Sequence, residues 1–389
     1  MKTIIFLSAL ATASVVSATS VSAGETIKFG LSVPLSGAGA PFGKASLYMC
    51  QQAAAEIKNA GGIKVKGKAY NVECIAYDNK YTAAEGAKVA QTLVNRDGVK
   101  YMCAVGSAPI AAAQSLTERQ EVLLFSQGWA KGSKGPKYPL TFSDIVTPFE
   151  VGPAMIKFIT STYPAAKTVA MLNVSDSTGR ESEQALRPMW EKAGLRVVTS
   201  DFYERGTTEF QPIAQRLASL KPDVVELGSA LPPDAGQIFK ELSVLGWKGV
   251  KVATASTAAE GLIATGGPAA EGVYMGAALT FDGPNATPLQ RRLNAGQVPV
   301  SGESLGLASI PCYDAVHMLK AGAEYAQSLE PTAIAAVMPK VKFNSFFGDD
   351  IGFGGKDIYG SNVQPMLPVY ITQIVNAKVV ERAKVLPRP

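Results

Sequence analysis

One histidine, four cysteines and one glycine-rich turn are the residues of this 389-residue chain whose types could support covalent or cofactor chemistry. The histidine, His317, lies in the helical run CYDAVHMLKAGAEYA. A Ser–His–Asp or Cys–His arrangement would have to be built on it alone, with further groups to orient it. Zinc sites with two or more histidines are excluded outright. A lone helical histidine reads as a structural residue, and no metal is expected.

Cys50, Cys74, Cys103 and Cys312 lie far apart, with no C-x-x-C pair to clip a metal. Four buried thiols acting as small hydrophobes are the expectation. The alternative is a Cys50–Cys74 bridge, because the first helix and the strand after it pack together in a βαβ unit. Gly37, Gly39 and Gly43 come close to G-x-G-x-x-G, and Asp78 could mimic the acid that holds a ribose. The last glycine is one residue late and Pro41 interrupts the turn, so an NAD-dependent oxidoreductase stands only as an alternative and no cofactor is expected. Asp349-Asp350 lacks the ligand spacing of an EF-hand loop and reads as a turn. Arg291-Arg292 reads as a solvated face.

The elements that would position a site repeat. Lys2, the apolar core from Ile4 to Leu10 and Val21-Ser22-Ala23 have the anatomy of a secretion leader, with the mature chain starting near Gly24. That core is too short to span a bilayer. The first cysteine is Cys50, so no lipid attachment point is expected near the cleavage site. The formal charge of +5 falls to +4 without Lys2, and basic residues are spread rather than clustered, which argues against nucleic acid. With 47% hydrophobic and 18% charged residues the chain can fill a large core.

Strand-like runs at Ile27–Val33, Tyr70–Tyr77, Tyr101–Val105 and Val122–Phe125 alternate with helical runs beginning near Gly43, Thr82 and Pro109. The pattern restarts after a seam near Asp144–Thr147, with a helix near Pro148. Strands at Thr168–Asn173, Arg196–Tyr203, Asp223–Leu227 and Val250–Thr254 then alternate with helices near Glu181, Glu209 and Pro233. Short apolar strands between amphipathic helices imply parallel sheets covered on both faces. Gly272–Leu279 reads as a strand, Glu303–Ser328 as one long helix, and Lys342–Phe346 and Leu367–Ile374 as strands. The fold class is α/β, two doubly wound Rossmann-like lobes joined by a multi-crossing hinge. Residues 24–145 plus 279–364 form the first lobe and 146–278 plus 365–389 the second, after a leader over 1–23. Ligands of such sheets bind at the carboxyl ends of strands.

PLSGAGAPFG, AAAEIKNAGGIKVKGKAY, the Tyr77-Asp78 pair, DGVKYMCAVGS, AEGVYMGAALTFDG and CYDAV occur in that order over nearly all of the mature chain. Together, behind a leader, they resemble the type I periplasmic solute-binding proteins of ABC importers, in the branch of the leucine/isoleucine/valine-binding proteins. The resemblance implies a monomer in the periplasm that closes on a small carboxylate ligand and delivers it to permease subunits. An exported receptor domain that presents ligand to a sensor is the second reading.

By the same resemblance, Ser107, with Ala108 beside it, falls on the serine whose hydroxyl holds the ligand carboxylate; by itself Ser107 also suits a helix N-cap. Gly128, Trp129 and Ala130 follow the fourth strand, where relatives offer backbone groups to that carboxylate. Ala130 replaces a common threonine. Trp129 would wall an apolar or aromatic ligand, or else pack the loop onto its own lobe. Phe42 falls on an aromatic position lining the first lobe's side of the cleft. From the second lobe come Thr178, Leu231 and Ser256. Amino-acid binders of the branch tend to carry an acid at the Ser256 position to pair with the ligand ammonium. Burying an ammonium without a counter-charge is costly. Glu260 and Asp176 are the candidate substitutes, and without one the ligand would be an aromatic acid lacking an ammonium.

Overall fold

The computed structural model describes residues 25–254, 258–276, 278–281, 283 and 286–387. The leader and its cleavage site therefore lie outside the described residues, as does Ser256. In the first lobe, strand β1 (Glu25–Val33) leads into helix α1 (Ala40–Asn59), then strands β2 (Ile63–Val65) and β3 (Lys68–Asp78). Helix α2 (Ala83–Gln91), strand β4 (Tyr101–Val105), helix α3 (Ser107–Arg119), strand β5 (Leu123–Gln127) and strand β6 (Thr141–Ser143) follow. The sheet order is β2-β3-β1-β4-β5-β6, parallel except for β2 against β3. Every residue of β4 and β5 is buried, as befits central strands covered by helices on both faces. Helix α1 turns Phe42, Ala45, Met49, Ala53 and Ile57 inward at helical spacing.

The second lobe repeats the theme. Helix α4 (Pro148–Thr162) starts on a capping box, in which Thr147 and Glu150 satisfy each other's backbone donors. Then come β7 (Thr168–Val174), α5 (Ser177–Lys192), β8 (Arg196–Tyr203), α6 (Gln211–Ser219), β9 (Val224–Glu226), α7 (Pro232–Val244), β10 (Val250–Ala253), α8 (Glu260–Gly266) and β11 (Tyr274–Met275). The chain next returns to the first lobe. Helix α9 (Pro288–Ser301) and helix α10 (Pro311–Ala326) pack on α1, and α11 (Pro331–Val337) on α10. Strands β12 (Phe343–Ser345) and β13 (Gly348–Ile351) form a hairpin; β14 (Phe353–Gly354), α12 (Lys356–Tyr359) and β15 (Gln364–Pro365) follow. Finally β16 (Val369–Val375) and β17 (Lys378–Val385) join the second sheet antiparallel, giving β17-β16-β11-β10-β9-β7-β8. The chain so passes between the two sheets' surroundings after β6, after β11 and after β15.

Four expectations are corrected. The cysteines are not free thiols: Cys50 pairs with Cys74, and Cys103 on β4 pairs with Cys312 on α10. The helix read over Glu303–Ser328 is shorter, opening at Pro311 and closing at Ala326 as α10, and the separate helix α9 before it, ended by Gly302 in the left-handed region, was not foreseen. Asp349-Asp350 lies in a strand rather than a turn. The arginine pair is engaged: Arg292 bonds Glu56 at 2.6 Å, and Arg291 bonds the carbonyls of Phe281, Gly283 and Ala286. His317 does behave as a structural residue. It packs on Tyr313 and burial pulls its imidazole down to about 4, so it is neutral at pH 7.

Candidate ligand-binding site between the lobes

The carboxyl ends of the strands of both sheets converge on one small cavity of about 50 Å³. From the first lobe it is lined by Phe42, Tyr81, Val105, Ser107, Gln127, Trp129, Ile145 and Ala308. Thr178, Arg205, Ser229, Ala230 and Leu231 line it from the second. Phe42 and Leu231 meet with Ala308 in one apolar cluster, so the two lobes touch across the cleft. A wider hollow of about 780 Å³ lies at the opposite, amino-terminal end of the second sheet around Trp247. Its one acid, Asp223, is occupied by the amides of Lys167 and Thr168, and no cluster of polar groups converges there.

Ser107 is the first residue of α3, and Gly106 takes the N-cap place with a φ of 98° that favours glycine. The hydroxyl is therefore not a helix cap. Ser107 Oγ accepts the N–H groups of Trp129 at 3.0 Å and Ala130 at 3.2 Å, which ties the two strand-end loops together. An oxygen that already accepts two hydrogens keeps its own proton to donate, at the positive end of the α3 dipole. Lys134 supports the loop from behind by donating to the Gly128 carbonyl at 2.8 Å. Burial lowers that ammonium to about 8, while Glu150, Asp144 and Glu181 act to keep it charged.

Trp129 lines the cavity and packs with Ile145, Val146, Val151 and Leu307. Ala108, Gly128 and Ala130 are not among the residues that line the cavity. Across the cleft, Thr178 sits in the first turn of α5, and its hydroxyl is buried without a hydrogen-bond partner. Gln127 similarly holds an unpartnered Oε1 while its amide nitrogen donates to the Ala308 carbonyl.

The candidate ammonium partners are used elsewhere. Asp176 caps α5 by accepting from the Gly179 N–H at 3.2 Å, and it binds Arg205 through Nε at 2.9 Å and Nη2 at 2.6 Å. Glu260 accepts the Ser304 N–H at 3.1 Å and lines no part of the cavity. Its neighbour Glu303 is raised to about 7 by burial and by the Glu260 charge. Arg205, Tyr81 and Gln127 are among the lining residues that sequence reasoning missed. Arg205 follows β8 in a polar loop with no motif around it. Tyr81 and Lys80 both have positive φ, at 60° and 47°, a conformation disfavoured outside glycine and the only local sign that the turn after β3 is special.

A model of the periplasmic binding protein family matches residues 26–378. The chain belongs to the periplasmic binding protein family. A Leu, Ile, Val, Thr and Ala-binding protein from Pseudomonas aeruginosa is 25% identical over 336 residues, covering 86% of this chain and 87% of that one. A Leu/Ile/Val-binding protein of Escherichia coli is 24% identical, with 83% and 86% covered. Among solved structures, a leucine-binding protein from Thermotoga maritima superposes with a TM-score of 0.79 at 20% identity, over 93% of this chain and 99% of that one. A solute-binding protein of an R. palustris ABC transporter, in complex with benzoate, does so at 0.76 and 17%, over 93% and 97%. As a periplasmic binding protein the chain binds solute and is not an enzyme, which removes the oxidoreductase alternative. Gly43 has a packing role instead of a phosphate-binding one: a Cβ there would lie 1.8 Å from the Pro34 carbonyl oxygen.

Proposed function

We propose that this periplasmic binding protein serves an ABC importer, capturing a small carboxylic acid with an apolar or aromatic body and handing it to a membrane permease. It works as a periplasmic monomer after losing its leader near Ala23. The lobes, 24–145 with 279–364 and 146–278 with 365–389, close on the ligand. The observation that carries this reading is the electrical character of the cavity. Among the described lining residues the one charged side chain is an arginine, and Ser107, Thr178 and two helix N-termini supply further donors or positive potential. Among the described lining residues no carboxylate awaits an ammonium. Phe42, Trp129 and Leu231 supply the apolar walls.

A hydrophobic amino acid is the second reading, favoured by the relatives that are Leu/Ile/Val-binding proteins. Calorimetric titration with benzoate, 4-methylpentanoate and leucine separates the two. The acids should bind, and leucine at least about tenfold more weakly, since no described lining carboxylate would neutralise its ammonium. Tight leucine binding with 4-methylpentanoate ignored would instead establish the amino-acid reading.

Ser107→Ala removes a hydroxyl donor to a charged oxygen. Affinity for the bound acid should fall roughly tenfold to a hundredfold, following the ~1.5–3 kcal/mol of a charge-assisted hydrogen bond. A variant with unchanged affinity and a lower melting temperature would reduce Ser107 to a brace for the loop at Trp129 and Ala130.

A further inference from the structure

The guanidinium of Arg205 lines the cavity and is engaged by Asp176 along one edge and by Tyr81 on one face. Nε and Nη2 both bond one oxygen of Asp176, and the group lies over the Tyr81 ring of the opposite lobe, 4.6 Å from its centroid. Nη1 is buried and has no partner. A buried donor without an acceptor is costly, more so when it belongs to a charged group. The Thr178 hydroxyl beside it on the second-lobe wall is unpartnered too. Both groups belong to the second-lobe lining, whereas Ser107 belongs to that of the first lobe.

Charge decides what they await. Asp176 already neutralises the Arg205 charge, so what Nη1 lacks is an acceptor and not a counter-charge. An uncharged oxygen supplies one without upsetting that pair, whereas a second carboxylate would bring an uncompensated charge into a buried site.

We propose that Arg205 selects for a second, uncharged oxygen on the ligand. The solute is then a monocarboxylic acid that carries a hydroxyl or carbonyl oxygen at the end opposite its carboxylate. This rests on the reading of the cleft as an acid site.

The test titrates the mature protein calorimetrically with benzoate, 4-hydroxybenzoate, benzene-1,4-dicarboxylate and leucine. 4-Hydroxybenzoate should bind at least about tenfold more tightly than benzoate, the scale of one hydrogen bond to a charged donor. In Arg205→Leu the ratio of the two affinities should fall to about one, whatever the absolute values. If that variant melts out because Asp176 has lost its partner, Arg205→Lys carries the test. It keeps the charge beside Asp176, lacks the forked donor, and should lose most of the ratio. Equal affinities in the wild-type protein, or a ratio that survives both substitutions, overturn the role of Arg205. Tightest binding of the dicarboxylate overturns the uncharged oxygen. Leucine binding with all three acids ignored overturns the acid site itself, and is told apart from the other failures by the absence of any acid binding.

Discussion

Gly179→Ala should cost the fold about 3 kcal/mol or more and weaken ligand binding along with it. A methyl group there would sit 1.9 Å from the Val174 carbonyl oxygen and 2.8 Å from its carbon. Those are backbone atoms at the end of β7, so no rotamer change relieves the clash. The helix α5 would have to lift off the strand, and overpacking of that kind costs ~1–3 kcal/mol even where neighbours can shift. Lifting α5 also displaces Asp176 and Thr178, and with Asp176 the arginine it orients. Gly43→Ala in the first lobe is the counterpart, against Pro34 at the end of β1. The same device thus docks the helix that follows the first strand of each lobe onto that strand. Gly132→Ala is the control, since its added carbon meets only Glu181 Oε1 at 3.9 Å. Urea unfolding of the three variants checks the ranking. A Gly179→Ala midpoint as high as that of Gly132→Ala would show that α5 is not held this tightly.

Glu226→Gln should stabilise the protein above pH 7 by roughly 3 kcal/mol and leave it near parity at pH 4. Glu226 is fully buried at the end of β9. Burial raises its carboxyl from 4.5 to about 7, against weaker opposing hydrogen bonds from Thr254. Its Oε2 is unpartnered. The folded protein therefore holds this proton more tightly than the unfolded chain. Below pH 4.5 both states are protonated and the full contribution is present. Between pH 4.5 and 7 the unfolded state releases its proton first, so stability falls as pH rises, and above pH 7 the loss is complete. Asp314, also fully buried and raised to about 7 by burial, acts in the same direction. His317 works oppositely and only in acid: its folded value near 4 removes stability as pH falls below 6.5. Denaturant titrations of wild type and Glu226→Gln at pH 5 and pH 8 measure the effect. A difference that does not grow with pH would mean that Glu226 stays ionised in the fold.

The repeating strand–helix order was legible because each parallel strand is a short apolar run and each helix carries an apolar stripe. Those signals are local. The return segment was read less well for an equally physical reason. Its helices α9 and α10 are separated by the uncharacteristic stretch at Gly302–Ile310, and Pro299 sits inside α9, where proline usually marks an end. The Thr287-Pro288 start with Gln290 three residues on is a capping box that would have located α9. At the cleft, Ser107 and Trp129 could be placed because they follow apolar strands directly. Arg205 could not, since its importance comes from Asp176, twenty-nine positions earlier in sequence, and from Tyr81 on the other lobe. The Cys50–Cys74 bridge was one of the two readings weighed, whereas the Cys103–Cys312 bridge was not foreseen, for the same reason. A helix face that brings Cys312 to Cys103 is a property of tertiary packing and leaves no mark on spacing.

Those two bridges join each cysteine to the next one along the chain, the first with the second and the third with the fourth. A polypeptide entering an oxidising compartment amino end first would expose Cys50 and Cys74 together, then hold Cys103 as a lone thiol until Cys312 arrives. Pairing by order of arrival reproduces the native pattern, so maturation needs an oxidant but no isomerase to reshuffle wrong bonds. The wait is long: every strand from β5 to β11 must emerge before Cys103 finds its partner. During that interval the unpaired thiol is shielded only as far as β4 has already been buried. A block in translocation between those two cysteines would leave a single-thiol intermediate that an alkylating reagent could trap.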